Sequence, residues 1–301
     1  MKDLSIIIVT YNTRDLTLTC INSIYENLKD KILYEVILVD NASTDGSREL
    51  FYEDKRIKYV YNSINYGFGR ANNIGLEVSS GRNILFLNSD TVLFDDSIVK
   101  LMSFLDENEH VGAVGANLVD ANKYPGTSMF RYEAGIFEPL NRMCGDIIEK
   151  VLFGKNRYYN YTSNPMRVLA ISGADLCVKR HVLDEVGPFD ENIFMYYEDI
   201  ELCHRIRGGG YEIVSLPWVN IIHYGGGSGR ENTHNEFNII DEESTLYVLR
   251  KYHSEFYVSM YYRLMHISYV WKSMTRFNSS QSQRWAYLAQ SQRRFNKEHK
   301  L

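Results

Sequence analysis

The first third of the chain swaps repeatedly between short apolar runs and helical stripes, and this alternation restricts the fold more than any other feature. "LSIIIVT" is continuous and β-branched, as a parallel strand covered on both faces must be. Leu16, Cys20, Ile24 and Leu28 then recur four apart, one stripe of an amphipathic helix. "EVILVD" predicts a second strand and "NASTDGSRELF" a turn entering a helix. "IKYVYN" predicts a third strand, "GFGRANNIGLEVS" a helix and "NILFLN" a fourth strand. Such alternation predicts an α/β fold with a doubly wound, mostly parallel sheet. Ligands of these sheets gather beyond the carboxyl ends of the strands. Thr10-Tyr11-Asn12, Asp40-Asn41 and Asn88-Ser89-Asp90 all fall there.

The segment from Val111 to Met166 has no clear period, and "KNRYYNYTSNP" within it reads as a loop. Pattern returns with "RVLAISGADLCVKR", then with "FMYYEDIELCHRIRGGGY", a helix closed by glycines suited to a left-handed cap. "EIVSLPWVNIIHYGGGSG" predicts short strands and a glycine-rich loop. Beyond about Asn235 the pattern is helical, with Phe256, Met260, Leu264, Ile267 and Trp271 at three-to-four spacing. These shifts predict a domain over 1–235 and a helical extension over 236–301.

With 301 residues, 45% apolar and 24% charged, the chain is of ordinary globular composition and long enough for a full core. Its net charge of −5 gives no reason to expect nucleic acid. From Arg250 onward, however, many bases face only Glu255 and Glu298. The extension therefore fits either a solvated helical face or contact with an anionic partner such as a membrane surface. Its apolar stripe fits core, a subunit interface in a homo-oligomer, or a membrane surface. The four cysteines lack metal or redox spacing and read as free thiols in a reducing compartment. A strand entered at Leu4 without signal-peptide character, and no apolar run of spanning length, predict a cytoplasmic protein, or one at the inner face of the cell membrane.

Several residues could carry chemistry. Asp90, at a strand's carboxyl end, fits either a hard divalent cation or the cap of the helix starting near Asp95. Asn88 offers an amide to a metal or a ribose. Asp40 fits either a turn or an acceptor for the N3–H of uracil or thymine, and Tyr11 fits base stacking or packing. In "NYGFGRANNIG" the first amides of a helix could face an anion, with Arg70 adding charge. Glu198 and Asp199 open a helix whose dipole favours an ionised carboxylate, ready to take a proton. First-turn acids are equally a common helix start, but the aromatics of "MYYED" add a wall that suits a sugar. His223 ends an apolar strand before glycines and fits a metal ligand, a diphosphate donor or a structural role.

Together, "SIIIVTYN", "VILVDNASTDGS", "NYGFGRANNIG", "LFLNSDT", "SGADLCVKR", "GPFDENIFMYYEDIELCHRIRGGGY" and "HYGGGS" resemble glycosyltransferase family 2, the inverting transferases of GT-A (Rossmann-like) fold. The similarity is to the rhamnosyltransferase-like bacterial branch and runs to about Gly229. It implies that Asp199 is the general base and Asp40 the base-binding aspartate. It also implies that Asp90 and His223 hold Mg2+ or Mn2+. Thr10, Tyr11, Asn12, Asn41, Arg70, Asn73, Asn88 and Ser89 fall to the nucleotide, and Asp175, Tyr197, Glu198 and Trp218 to sugar or acceptor. Two departures stand out: Asn88 replaces an aspartate frequent in the family, and Asp175 stands where a small residue is expected. The implied partners are a dTDP- or UDP-linked sugar and a saccharide or polyprenyl-linked acceptor. Two other classes share the ingredients: a sugar-nucleotide nucleotidyltransferase, against which "TYNTRD" lacks the glycine-rich loop, and a non-catalytic nucleotide-sugar binding protein.

Overall fold

The structure is a computed structural model that describes residues 2–225, 238–275 and 279–301. Gly226–Gly229 of the glycine-rich loop and the expected boundary at 235/236 lie outside the described residues. The chain forms two compact units, residues 1–131 with 155–229, and residues 132–154 with 230–301.

In the first unit β1 (Lys2–Thr10), α1 (Arg14–Leu28), β2 (Tyr34–Asp40), α2 (Ser47–Phe51), β3 (Ile57–Tyr61), α3 (Phe68–Glu77) and β4 (Gly81–Asn88) alternate as expected. Then come β5 (Thr91–Val92), α4 (Ser97–Glu107), β6 (Val111–Val119) and β7 (Met129–Phe130). Two short helices, α5 (Phe137–Met143) and α6 (Ile147–Phe153), belong to the second unit. The first unit resumes with β8 (Met166–Arg167), β9 (Ala170–Ile171), β10 (Asp175–Lys179), α7 (Arg180–Val186), α8 (Glu198–Gly208) and β11 (Glu212–His223). The second closes with α9 (Ile239–Tyr252), α10 (Glu255–Thr275) and α11 (Ser279–Glu298).

The main sheet runs β3-β2-β1-β4-β10-β6-β11-β5. β3, β2, β1 and β4 are parallel, and β6 and β11 are parallel to each other. β10 runs antiparallel to β4 and β6, so the sheet is mixed. Leu4, Ile6 and Ile8 of β1 pack into one core layer with α1 and α4, and Ile7 into the other with α3 and α8. A strand buried on both faces needs the unbroken apolar run that β1 carries. The reversal of β10 matters for the site. It brings the start of that strand, rather than its end, to the edge where β4 finishes: Asp175 lies opposite Leu87.

The second unit has a separate core of Leu246, Leu249, Val258, Tyr261, Tyr262 and Met265 with Ala289 and Phe295. Its membership corrects the expected division of the chain, because residues 132–154 join the C-terminal helices. Tyr261 donates to Glu138 of α5 at 3.0 Å, and Lys272 pairs with Asp146 at 3.5 Å.

Candidate active site

β5 is only two residues long, but its pairing decides where His223 goes. His223 lies opposite Thr91, and the Tyr224 amide donates to the Asp90 carbonyl at 3.0 Å. Nε2 of His223 consequently stands 3.1 Å from Oδ1 of Asp90 and 3.3 Å from the Asn88 amide nitrogen. Nε2 cannot serve a carboxylate as donor and an amide N–H as acceptor with the same proton state. Turning the Asn88 amide over removes the conflict, and so does a cation that an unprotonated Nε2 and a carboxylate oxygen both face. Two donors about 2.1 Å from a six-coordinate ion and at right angles stand about 3 Å apart, close to the observed separation. The donor set thus fits a hard divalent cation. No group of three or more His, Cys, Asp or Glu side chains placed to hold a metal occurs among the described residues. Further donors would come from Asn88, the bound ligand or water.

The next link runs through two consecutive residues ahead of β10. Gly173 donates its amide to Oδ2 of Asp199 at 2.8 Å, while the Ala174 carbonyl accepts from the Asn88 amide at 3.0 Å. A Cβ at position 173 would sit 3.4 Å from that of Asp199 and 3.3 Å from the Phe68 ring. Oδ1 of Asp199 accepts from Ile200 at 2.7 Å. Burial pushes the Asp199 carboxyl above the usual carboxylate range, against the opposing pull of the Gly173 and Ile200 amides. The residue stays partly open to solvent. Tyr196 and Tyr197, just before α8, both adopt left-handed φ (67° and 72°), a strain that turns the chain into the helix on which Asp199 rides. Glu198 is buried beside it.

Asp40 and Thr10 are register partners, and Val9 lies opposite Asn88, so the ends of β2, β1 and β4 are flush. Two strand spacings separate Asp40 from Asn88, roughly 10 Å. Asp40 is 0% exposed. Oδ1 accepts from the Ser43 amide at 2.8 Å and Oδ2 from the Tyr59 hydroxyl at 2.6 Å. Each oxygen keeps one further lone pair. Asn12, at φ 53°, accepts from the Thr44 amide and thereby ties the loop after β1 to the loop after β2. Tyr11 is exposed at this rim.

Other residues expected at the nucleotide make ties within the protein. Thr10 is buried in a hydroxyl cluster with Thr13 (3.0 Å) and Thr17 (2.9 Å), and Thr13 reaches Ser89 at 3.0 Å. Asn41 holds the loop before α3 through Asn62, Asn65 and the amide of Tyr66. Asn73 is buried and bonds the backbone of Phe189 on both sides, and Glu191 besides. Arg70 lies over the Tyr66 ring at 4.3 Å and pairs with Glu191 at 3.5 Å.

One expected sugar contact, Asp175, is corrected. Asp175 is fully buried within β10, where Oδ2 accepts from the Ala116 amide and Oδ1 has no hydrogen-bond partner. No ligand reaches it without parting strands. Trp218 sits in the bulge of β11 beside Pro217, 44% exposed and edge-on to Phe104 of α4 at 6.4 Å. Conversely, Gly173 and Tyr59 support the site without a sequence signal beyond "SGAD" and the alternation of "IKYVYN".

Burial pushes the Asp175 carboxyl up to about 8, partly opposed by the Ala116 amide. The folded protein therefore keeps a proton that the unfolded chain loses near pH 4. Its stability contribution is full below that pH and is lost as pH rises toward 8. Asp175→Asn removes this slope, and at pH 7 the variant is expected to recover up to about 4 kcal/mol. Urea unfolding of both proteins from pH 5 to 8 checks this; parallel curves contradict it.

Residues 5–164, more than half of the chain, match the family model described as glycosyl transferase family 2. The low-salt glycan biosynthesis hexosyltransferase Agl10 of Haloferax volcanii is 25% identical over 74% of this chain and 67% of its own length. Rhamnosyltransferase WbbL of Escherichia coli is 26% identical over 73% of this chain and 82% of its own. The match spans only 26% to 47% of the length of three other curated relatives. Among solved structures, mannosyltransferase PcManGT from Pyrobaculum calidifontis, in complex with GDP-Man and Mn2+, superposes with a TM-score of 0.61. The match covers 98% of this chain and 88% of that one at 16% identity, a likeness of fold, which is GT-A. The chain belongs to glycosyl transferase family 2.

Proposed function

We propose that the protein is an inverting glycosyltransferase that moves a sugar from a dTDP- or UDP-linked donor to a hydroxyl of a saccharide or polyprenyl-linked acceptor. Bacterial surface polysaccharide synthesis is the proposed setting, in keeping with the similarity to a rhamnosyltransferase of Escherichia coli. What supports the reading most is the coupling of Asp199 to Asn88 through Gly173 and Ala174, beside a shared His223–Asp90 donor pair.

In this reading Asp40 accepts the N3–H of uracil or thymine. Asp199 takes the proton of the attacking hydroxyl, and its raised pKa makes it a better acceptor than an exposed carboxylate. Attack comes from the face opposite the nucleotide, so the anomeric configuration inverts. Asp90 and His223, with Asn88, would hold Mg2+ or Mn2+, whose charge stabilises the departing diphosphate.

Asp90→Ala is expected to weaken Mn2+-dependent binding of UDP or dTDP at least tenfold while leaving metal-free binding unchanged. Calorimetry with and without Mn2+ measures both, and an unaltered metal dependence contradicts the assignment. Protection against thermal unfolding by a panel of nucleotide sugars identifies the donor. No described helix is long and apolar enough to cross a membrane. The reading therefore places a lipid-linked acceptor with a protein that touches the inner membrane peripherally, through its C-terminal helices.

A further inference from the structure

The second unit wears apolar side chains on its outside. The stripe that spacing marks along α10 lies largely outside the core: Phe256 is 78% exposed, Ile267 and Trp271 about half, Met260 and Leu264 are half-buried, and Met274, just beyond it, is 77% exposed. The opposite face, with Val258, Tyr261, Tyr262 and Met265, forms the core instead. Tyrosines suit that role because their hydroxyls find Glu138 and the Glu242 carbonyl at 3.0 Å each. α6 repeats the inversion. It buries Glu149 against Asn141 and exposes Ile147, Val151 and Leu152. The Asp146–Lys272 pair brings the start of α6 beside the last turns of α10, where Met143, Gly145, Trp271 and Thr275 line one cavity.

Charge decides what covers this face. The one acid of α10, Glu255, pairs with Arg250 at 3.0 Å, and the one charge exposed among the stripe is Arg263. α6 exposes Lys150. α11 exposes Arg284, Arg293, Arg294 and Lys297 against Glu298 alone. A two-fold contact centred on α10 would turn Arg263 toward its symmetry mate with no acid on the stripe to answer it. An anionic lipid surface accepts both features, with the apolar stripe at the acyl boundary and the bases among the headgroups. A tryptophan at such a boundary is favoured.

We propose that the α6–α10 face lies in the headgroup–acyl boundary of an anionic bilayer, along its plane. This deepens the reading of a membrane-borne acceptor and rests on it. Flotation of the full chain with phosphatidylcholine vesicles, with and without phosphatidylglycerol, tests the inference. Wild type is expected to float only with phosphatidylglycerol present. The triple variant Ile267→Ser, Trp271→Ser, Met274→Ser is expected to lose about tenfold or more of the bound fraction at an unchanged melting temperature. Should the triple variant melt early, Met274→Glu alone, at a highly exposed position, gives the same comparison. Three results overturn the proposal: wild type left in the bottom fraction, variants floating like wild type, or a wild-type dimer that the variants dissociate. Nucleotide protection against melting in lipid-free buffer reports on the catalytic reading alone, so either can fail without the other.

Discussion

Asp199→Asn is expected to lower kcat by about 10²- to 10⁴-fold, the contribution of a positioned general base. Nucleotide binding should survive, because the amide oxygen can still accept from Gly173 and no nucleotide contact is removed. Pre-steady-state transfer assays beside calorimetry separate the two effects. The pH profile adds a second check. The base works only when ionised, so kcat/KM falls as pH falls through its pKa, which burial raises. The acidic limb should therefore lie above the ordinary carboxylate range and vanish in the Asn variant. A variant with normal turnover, or one that keeps the limb, removes Asp199 from the chemistry.

Gly67→Ala is the substitution expected to damage the fold most. Gly67 has φ +84° and ψ 177°, a backbone region open to glycine almost alone. A Cβ there would lie 2.2 Å from the Phe194 carbonyl oxygen. That oxygen accepts from the Phe68 amide at 2.8 Å, so the start of α3 is clasped to the segment leading into α8. Strain and clash together should cost about 3–5 kcal/mol. Because the clasp adjoins the Tyr196–Tyr197 turn, the loss should also show in turnover at temperatures where the variant is still folded. Equilibrium unfolding within about 1 kcal/mol of wild type would contradict this account of the clasp.

The strand-end carboxylates were legible because each apolar run stops at a polar residue: "VILVD" at Asp40, "LFLN" just before Asp90. A period of two does not reveal strand direction, however. Asp175, at the start of β10, would lie far from the end of β4 in a parallel strand, and it lies opposite Leu87 because the strand is reversed. Hydroxyl and amide ties were equally hidden, since Thr10 and Asn73 have the same composition signal whether they meet a ligand or a neighbouring loop. The helices of residues 132–154 leave no periodic signal for a third reason. α6 places Glu149 inside and Val151 outside, so the usual amphipathic stripe is inverted. The same inversion in α10 leaves much of its apolar stripe at the surface.

All the chemistry depends on one ligand bridging the ends of β2, β4 and β11. The most direct measurement is the anomalous-scattering map of a crystal grown with Mn2+ and UDP or dTDP. A single metal peak about 2.0–2.3 Å from an Asp90 oxygen and from Nε2 of His223 is expected, touching the diphosphate, with the base edge at Asp40. A metal elsewhere, or a nucleotide bound away from those strand ends, would contradict the account.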